Sequence, residues 1–389
     1  MNIIRRDQFI GSNNIAKAER LPKGAVVEAV NVDFTVGGKA ELRTGFELVR
    51  EQEDTRAIFE MGADLALIAG DKLIRVTPQG DTELATLAQG PVAAVWHAGE
   101  LFLNTVADSM RIGAEVRPWA VPAPAFDIVI TTGSFPAGVY QVAVTAVDGS
   151  VESGCLPMIV TLGEGQAIRV NVDDDRDCRL YCSVANGSTL YHQGVAYSTN
   201  LLPRPVDDTA RLVTAGLYSL PFCTYLVSHQ ALIVGAHGRY LYHSQPMWPH
   251  LTNPESDFVV FPAPITLLAA VEGGVFVCAD HTYFVSGLGS AEIVQRTLLE
   301  FGAIEGSSVM LPDGSAAWFT QYGQVIGRKD GSIELLNQTT YSPDTAELGA
   351  AGYLEHNGNQ MVVTSMRGQV DESHLRAGDF SELEVIDNG

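Results

Sequence analysis

Runs of about five apolar residues, each ended by a turn that usually carries glycine, return along this 389-residue chain at a nearly constant interval. The stretch Leu220–Gly287 contains the unit twice. It reads LPFCTYLVSHQALIVGAHGRYLYHSQPMW and, after a short loop, FVVFPAPITLLAAVEGGVFVCADHTYFVSG. Each half holds two apolar strands and an aromatic-rich third, joined by tight turns. Runs this short favour antiparallel strands, because a helix needs about ten residues to bury a face. The first turn of each unit falls near Gly62, Ala98, Gln230, Gly273, Gly314 and Gly358. The steps are 36, 132, 43, 41 and 44 residues, and the long one shrinks to 45 once the 87 residues 127–213 are set aside.

Steps of about 36–45 residues with three or four strands per unit match the period of a β-propeller blade. The expected fold is therefore all-β: a propeller of about six or seven blades, with residues 25–126 as its first part and 214–367 as its second. A long β-sandwich or a β-solenoid is the competing arrangement. Residues 127–213 differ in character, with short alternating strands such as Val139–Thr145 and turns at Asp148-Gly149, Gly163–Gly165 and Asn186-Gly187. They read as an inserted β-sandwich of immunoglobulin or fibronectin type. Proline-rich passages at 117–126 and 201–208 bracket it, where a central strand is barred. Residues 1–24 read as a polar N-terminal arm. The stretch 25–49 reads as a hairpin that joins the unit at 351–366 to close the ring, and 368–389 as an acidic tail.

The formal charge of −22 argues against binding a phosphate backbone, since that affinity comes from lysine and arginine displacing counterions. It suits a wall past which a polyanion slides. The five cysteines (155, 178, 182, 223 and 278) are odd in number and irregularly spaced, so they predict packing thiols in a reducing compartment. The N-terminus lacks an apolar signal core, and no run of 18 apolar residues predicts a membrane span.

The search for chemistry finds little. Asp173–Asp177 has the D-x-D spacing of a calcium loop but lacks the glycine and distal glutamate of an EF-hand, and reads as a solvated turn. His229, His237 and His243 are close in sequence, yet histidines on half-buried strands are more often satisfied by hydrogen bonds than by metal. No nucleophile elbow, zinc-protease helix or phosphate loop occurs. Tyr240, Tyr242, Trp248, Phe258, Phe261, Tyr283 and Phe284 suit either sugar stacking or packing between blades, and packing is favoured. Asp257 and Asp280 are the acids that a propeller hydrolase would use. The expectation is no enzyme, no cofactor and no metal.

Three segments carry a resemblance. NNIAKAERLPKGAVVEAVNVDFTVGGKAELRTGFE at 13–47 pairs an "avNvD" strand, Ala29–Asp33, with a return strand, Gly38–Gly45, that ends in "lR-x-G". Tyr240–Gly287 follows the pattern "lwySdPl", a loop and "fpspIt", and Phe301–Ser307 (FGAIEGS) matches "yGavpgS". These resemble a family of structural proteins of the distal tail of tailed bacteriophages, the nozzle or hub, and 127–213 resembles the insert such proteins carry. The resemblance implies a virion propeller that forms a cyclic ring, commonly a hexamer, continuing the DNA channel below the portal and adaptor proteins. It implies contacts with tail fibres or spikes, passage of double-stranded DNA without sequence-specific binding, and synthesis in the host cytoplasm. A receptor- or glycan-binding propeller of the tail is the alternative. No catalytic residue comes with it. The best candidate for subunit contact is the loop Gln245–Asp257, with Gln245, Met247, Trp248, Asn253 and Asp257 as the residues of interest.

Overall fold

A computed structural model describes residues 8–368, apart from 31, 36, 44–47, 49, 344–345 and 357–358. Among them the chain is strand and turn, with one short 3-10 segment at Ala18–Arg20 and no α-helix. Five four-stranded antiparallel sheets follow one another as up-and-down meanders. The first comprises Thr55–Met61, Asp64–Ala69, Lys72–Thr77 and Gly80–Thr86; the second Ala93–His97, Glu100–Asn104, Ser109–Ile112 and Val116–Pro118. The third comprises Tyr225–His229, Leu232–His237, Tyr240–His243 and Phe258–Val260; the fourth Leu267–Val271, Gly274–Cys278, Thr282–Ser286 and Val294–Leu299. The fifth is Val309–Met310, Ala316–Thr320, Gly323–Gly327 and Ile333–Leu336.

Their first turns explain the regular spacing in the sequence. Gly62 stands at φ 67°, and Ala98 and Gln230 take the same left-handed region at 50° and 53°. A two-residue hairpin needs positive φ to match the twist of its strands, which is why these turns hold so few kinds of residue. One strand lies elsewhere than the sequence reading put it. Phe258–Val260 reads as the start of a new unit, yet it pairs with Tyr240–Tyr242 as the outer strand of the third meander. Pro262 and Pro264, unable to donate to a ladder, end that strand and separate it from the fourth meander.

The chain divides into two compact units. One is Gln52–Phe261 with Gly287–Ile293; the other gathers Pro262–Ser286 with the described residues before Gln52 and from Val294 onward.

In the first unit, the opening strand of the second meander lies beside the opening strands of both the first and the third. Met61, Ile68, Leu101 and Leu103 belong to the core shared by the first and second meanders. Phe102, Trp119, Cys223 and Ile233 belong to that of the second and third. Between the second and third meanders the chain makes two further sheets. Ala125–Thr132, Gln166–Asp173 and Thr199–Leu201 form one; Met158–Leu162, Gly138–Asp148, Asp177–Cys182 and Tyr191–Ala196 form the other, with Val151–Glu152 at its edge. Val142, Val144, Ile168, Val170, Leu180 and Cys182 meet between them in one core. The alternation of the strands has sorted these side chains inward, as face-to-face sheet packing requires.

In the second unit, Phe276, Phe284 and Trp318 pack the fourth meander on the fifth, with ring centroids 4.9 and 5.2 Å apart. Glycine is required where these sheets approach: a Cβ on Gly327 would lie 2.5 Å from the Phe276 ring and 2.7 Å from Trp318. Ala346–His356 and Asn359–Gly368 form a two-stranded sheet of their own. The expected closure through the 25–49 hairpin does not occur among the described residues. That hairpin pairs within itself, Val32–Phe34 against Ala40–Leu42. The N-terminal arm engages the chain ahead of the last hairpin instead, because an asparagine amide can pair both ways with one backbone residue. Asn14 Nδ2 donates to Ser342 O at 2.7 Å, and Ser342 N donates to Asn14 Oδ1 at 2.9 Å. The arm also holds a parallel pairing of Gly11–Ser12 with Ala25–Val26. The turn near Gly358 and the tail 369–389 lie outside the described residues.

Candidate interface loop

Between the third and fourth strands of the third meander, Ser244–Asp257 leaves the sheet and returns. Its first corner is a tight turn in which Trp248 N donates to Gln245 O at 3.0 Å. Pro246 fixes the entry φ, and Met247 follows at φ 65°, a place that normally falls to glycine. Met247 is 79% exposed. The chain then runs back: Gln245 N donates to Leu251 O at 2.7 Å, and Leu251–Thr252 pairs with Tyr218–Ser219.

Asp257 does not face outward. It is 6% exposed, and its carboxylate accepts from Asn253 N at 2.7 Å, from Ser256 Oγ at 2.9 Å and from Gln245 Nε2. His243 Nε2 stands 4.0 Å from it. A buried carboxylate without such donors is expensive, so Asp257 ties the two ends of the loop together. Asn253 caps the bend through its side chain, accepting from Glu255 N at 3.0 Å. Trp248 is half-buried, its ring 5.8 Å from that of His250. Of the five loop residues singled out in the sequence, then, Met247 carries the outward surface, while Gln245, Asn253 and Asp257 hold the loop in shape.

Beneath the loop lies a polar junction that the sequence did not reveal. His250 is 4% exposed and donates Nε2–H to Glu152 O at 2.8 Å. Trp119 Nε1 donates to Pro249 O at 3.0 Å. The Glu152 carboxylate accepts from Thr145 Oγ1 at 2.6 Å, Tyr181 OH at 2.7 Å and Arg179 Nη1 at 3.0 Å. Burial, and then the bond to Glu152, pushes the Tyr181 phenol up to about 12. Burial lowers the pKa of His250, so the neutral ring is the favoured form. Asp148, at the turn of the same strand pair, takes Arg117 Nη1 at 3.2 Å and Arg111 Nη2 at 3.4 Å. The two-sheet insert is thus bolted to the second meander and to the loop.

Of the other sequence candidates, His243 borders this loop through Asp257. Among the described residues no group of three or more histidine, cysteine, aspartate or glutamate side chains is placed to hold a metal ion. His229 and His243 are buried, and His237 is exposed. Asp174 is paired with Arg176, Nε to Oδ1 at 2.9 Å, which holds its carboxyl below the usual range. All five thiols are buried; burial pushes those of Cys155, Cys182, Cys223 and Cys278 up to about 12. Asp280 meets His281 at 2.8 Å, and His281 reaches Glu300 at 2.9 Å, so the imidazole pKa is raised, first by Asp280. Phe261, Tyr283 and Phe284 are buried, whereas Tyr240, Tyr242 and Phe258 share one accessible face. No helix among the described residues is long and apolar enough to cross a membrane.

No protein-family model matches this chain, and no curated protein does. Among solved structures, a streptogramin B lyase is similar at 10% identity and a TM-score of 0.34, over 83% of this chain and 96% of the other. AztD from Citrobacter koseri is similar at 11% identity and a TM-score of 0.28, over 82% and 90%. The extracellular domain of the one-component system BT4673 from B. thetaiotaomicron follows at 10% and 0.29, over 78% and 36%. At these scores no property of those proteins passes to this chain.

Proposed function

We propose that this protein is a structural subunit of the distal tail of a tailed bacteriophage. In this reading its meanders are blades of a propeller, its insert is a sandwich of immunoglobulin or fibronectin type, and copies assemble into a ring around the DNA path. The observation that supports the propeller part of the reading is the side-by-side placement of the opening strands of the first three meanders; the tail part rests on the sequence resemblance. In a propeller the inner strands of successive blades lie side by side in this way, and an insert looped out between two packed meanders fits the same arrangement.

One of the segments that resemble the nozzle or hub family has a plain structural account. The Phe301–Ser307 segment is a close-packed corner: a Cβ on Gly302 would meet Ala279 O at 2.0 Å, and one on Gly306 would meet Gly349 O at 2.2 Å. Ser307 Oγ donates to Ile304 O at 2.7 Å and accepts from Phe319 N at 3.0 Å. The segment's glycines and serine thus serve packing, which is in keeping with a scaffold protein. The charge of −22 supports a role beside DNA without adhesion to it.

Labelling the chain in purified phage particles tests the proposal. Electron microscopy is expected to find the label in a ring at the distal tail; label absent from the tail contradicts it. A glycan-binding tail protein is the second reading. It is favoured by the accessible face where the Tyr240 and Tyr242 rings stack at 5.9 Å with Phe258 6.3 Å from Tyr240. Glycan-array binding that disappears in Tyr242→Ala would select it.

A further inference from the structure

Asp280, His281 and Glu300 meet where the fourth meander hands over to the fifth. The turn Ala279–His281 joins Gly274–Cys278 to Thr282–Ser286 and is closed by Ala279 N, which donates to His281 O at 2.9 Å. Glu300 follows the outer strand Val294–Leu299, which pairs with Thr282–Ser286 and so ends beside this turn. The corner Phe301–Ser307 starts at the next residue and is anchored on both sides. Toward the fourth meander, Phe301 O accepts from Thr282 Oγ1 at 2.8 Å, and a Cβ on Gly302 would stand 2.0 Å from Ala279 O. Toward the fifth, Ile304 N donates to Phe319 O at 2.8 Å, and the rings of Phe301 and Tyr322 have centroids 4.6 Å apart.

The neighbours of the imidazole decide its charge. Nδ1 stands 2.8 Å from Asp280 Oδ2, in an ion-pair contact rather than a directed hydrogen bond, and Nε2 stands 2.9 Å from Glu300 Oε2. A neutral imidazole carries one N–H, so it would turn a lone pair toward one of these carboxylates. The imidazolium faces both with an N–H. Asp280 is held from its other side, since Oδ1 accepts from the buried Tyr283 OH at 3.0 Å. The charged groups acting on the ring are Asp280 from its own turn and Glu300 from the outer strand. Among the described residues neither acid pairs with a lysine or arginine. The His281 side chain is 31% exposed and that of Glu300 87%, so protons reach the group in the folded chain.

We propose that Asp280, His281 and Glu300 are a pH-operated clasp on the connection between the fourth and fifth meanders, closed while the ring is an imidazolium and open once it is neutral. The direction follows from the acids. Asp280 first, and then Glu300 against the effect of burial, raise the pKa of His281 above its ordinary value of 6.5. The clasp's contribution is therefore fully present below the unfolded value of about 6.5 and is lost as pH rises through the higher folded one. Its sense is opposite to that of His250, whose neutral form the fold favours. The clasp lies within one chain, so it stands or falls independently of the ring.

NMR of the full-length chain with labelled histidine tests it, the His281 signal being assigned among the nine by its loss in His281→Gln. That signal is expected to titrate above pH 6.5, and at a lower pH in Glu300→Gln, a substitution at an exposed side chain that leaves the fold intact. Protection of the Ala279 and Ile304 amides from hydrogen exchange, corrected for the intrinsic rate, is expected to fall by about two- to fivefold between pH 6.0 and 8.5, the worth of an exposed ion pair. In His281→Gln that fall should disappear. Titration at or below 6.5, or a midpoint that Glu300→Gln leaves unmoved, overturns the proposal. A fall in protection that persists in His281→Gln, or protection that stays constant while the ring titrates, overturns it too.

Discussion

The two-sheet insert and the pair formed by the fourth and fifth meanders bury apolar side chains in different ways. In the insert, Gln166–Asp173 alternates: Ile168, Val170 and Val172 are buried while Arg169 and Asp173 are exposed. The core between the two sheets is drawn almost wholly from the insert, although Gly138–Asp148 is also buried on its other face from Val142 to Ala146. In the fourth meander, Gly274–Cys278 is buried at every position, on both faces of the sheet. Such a strand is stable only with a neighbour on each side. The insert thus carries a core largely of its own, whereas the fourth and fifth meanders share one.

The strongest way to break this contrast is Gly327→Val. With a Cβ already within 2.7 Å of both Phe276 and Trp318, the variant is expected to lose the fold of the meander pair, a cost of more than about 4 kcal/mol, read as loss of soluble protein or of the cooperative melt. Trp318→Ala, fully buried between the same two sheets, should cost about 3–5 kcal/mol by chemical denaturation. Ile168→Ala in the insert should cost about 2–5 kcal/mol. Its effect is expected in a separate, earlier transition that leaves the meanders folded. A single shared transition in that variant would show that the insert is not self-sufficient.

These contrasts were only partly present in the sequence. Turn residues are local, so the corners at Gly62, Ala98 and Gln230 could be read directly, and with them the spacing of the meanders. The excursion Ser244–Asp257 could be read only as a loop, because what shapes it is long-range: a carboxylate that gathers donors from both ends of the loop, and a histidine bonded to Glu152, 98 residues away in sequence. An acid in a polar loop reads as exposed, and Asp257 is exposed only when its donors are ignored. The fate of Phe258–Val260 was hidden for the same reason, since the loop that separates it from its partner strand suggested a new unit.

Smaller effects sharpen the comparison at the junction between insert and meanders. Burial lowers the pKa of His250 in the folded chain, so the unfolded chain takes up a proton first. The stability contributed by neutral His250 is therefore complete above the unfolded value of about 6.5 and is lost as pH falls through and below it. Melting temperatures measured at pH 7.5 and 5.0 should differ less in His250→Gln than in the native chain. Met247→Gly should raise stability by up to about 1 kcal/mol, the reverse of every other substitution here.

The ring itself is the central claim, and electron cryo-microscopy of the purified full-length chain tests it most directly. The account predicts class averages of closed rings of identical subunits around an open channel. A uniform population of single subunits at every protein concentration, including tens of micromolar, would contradict it.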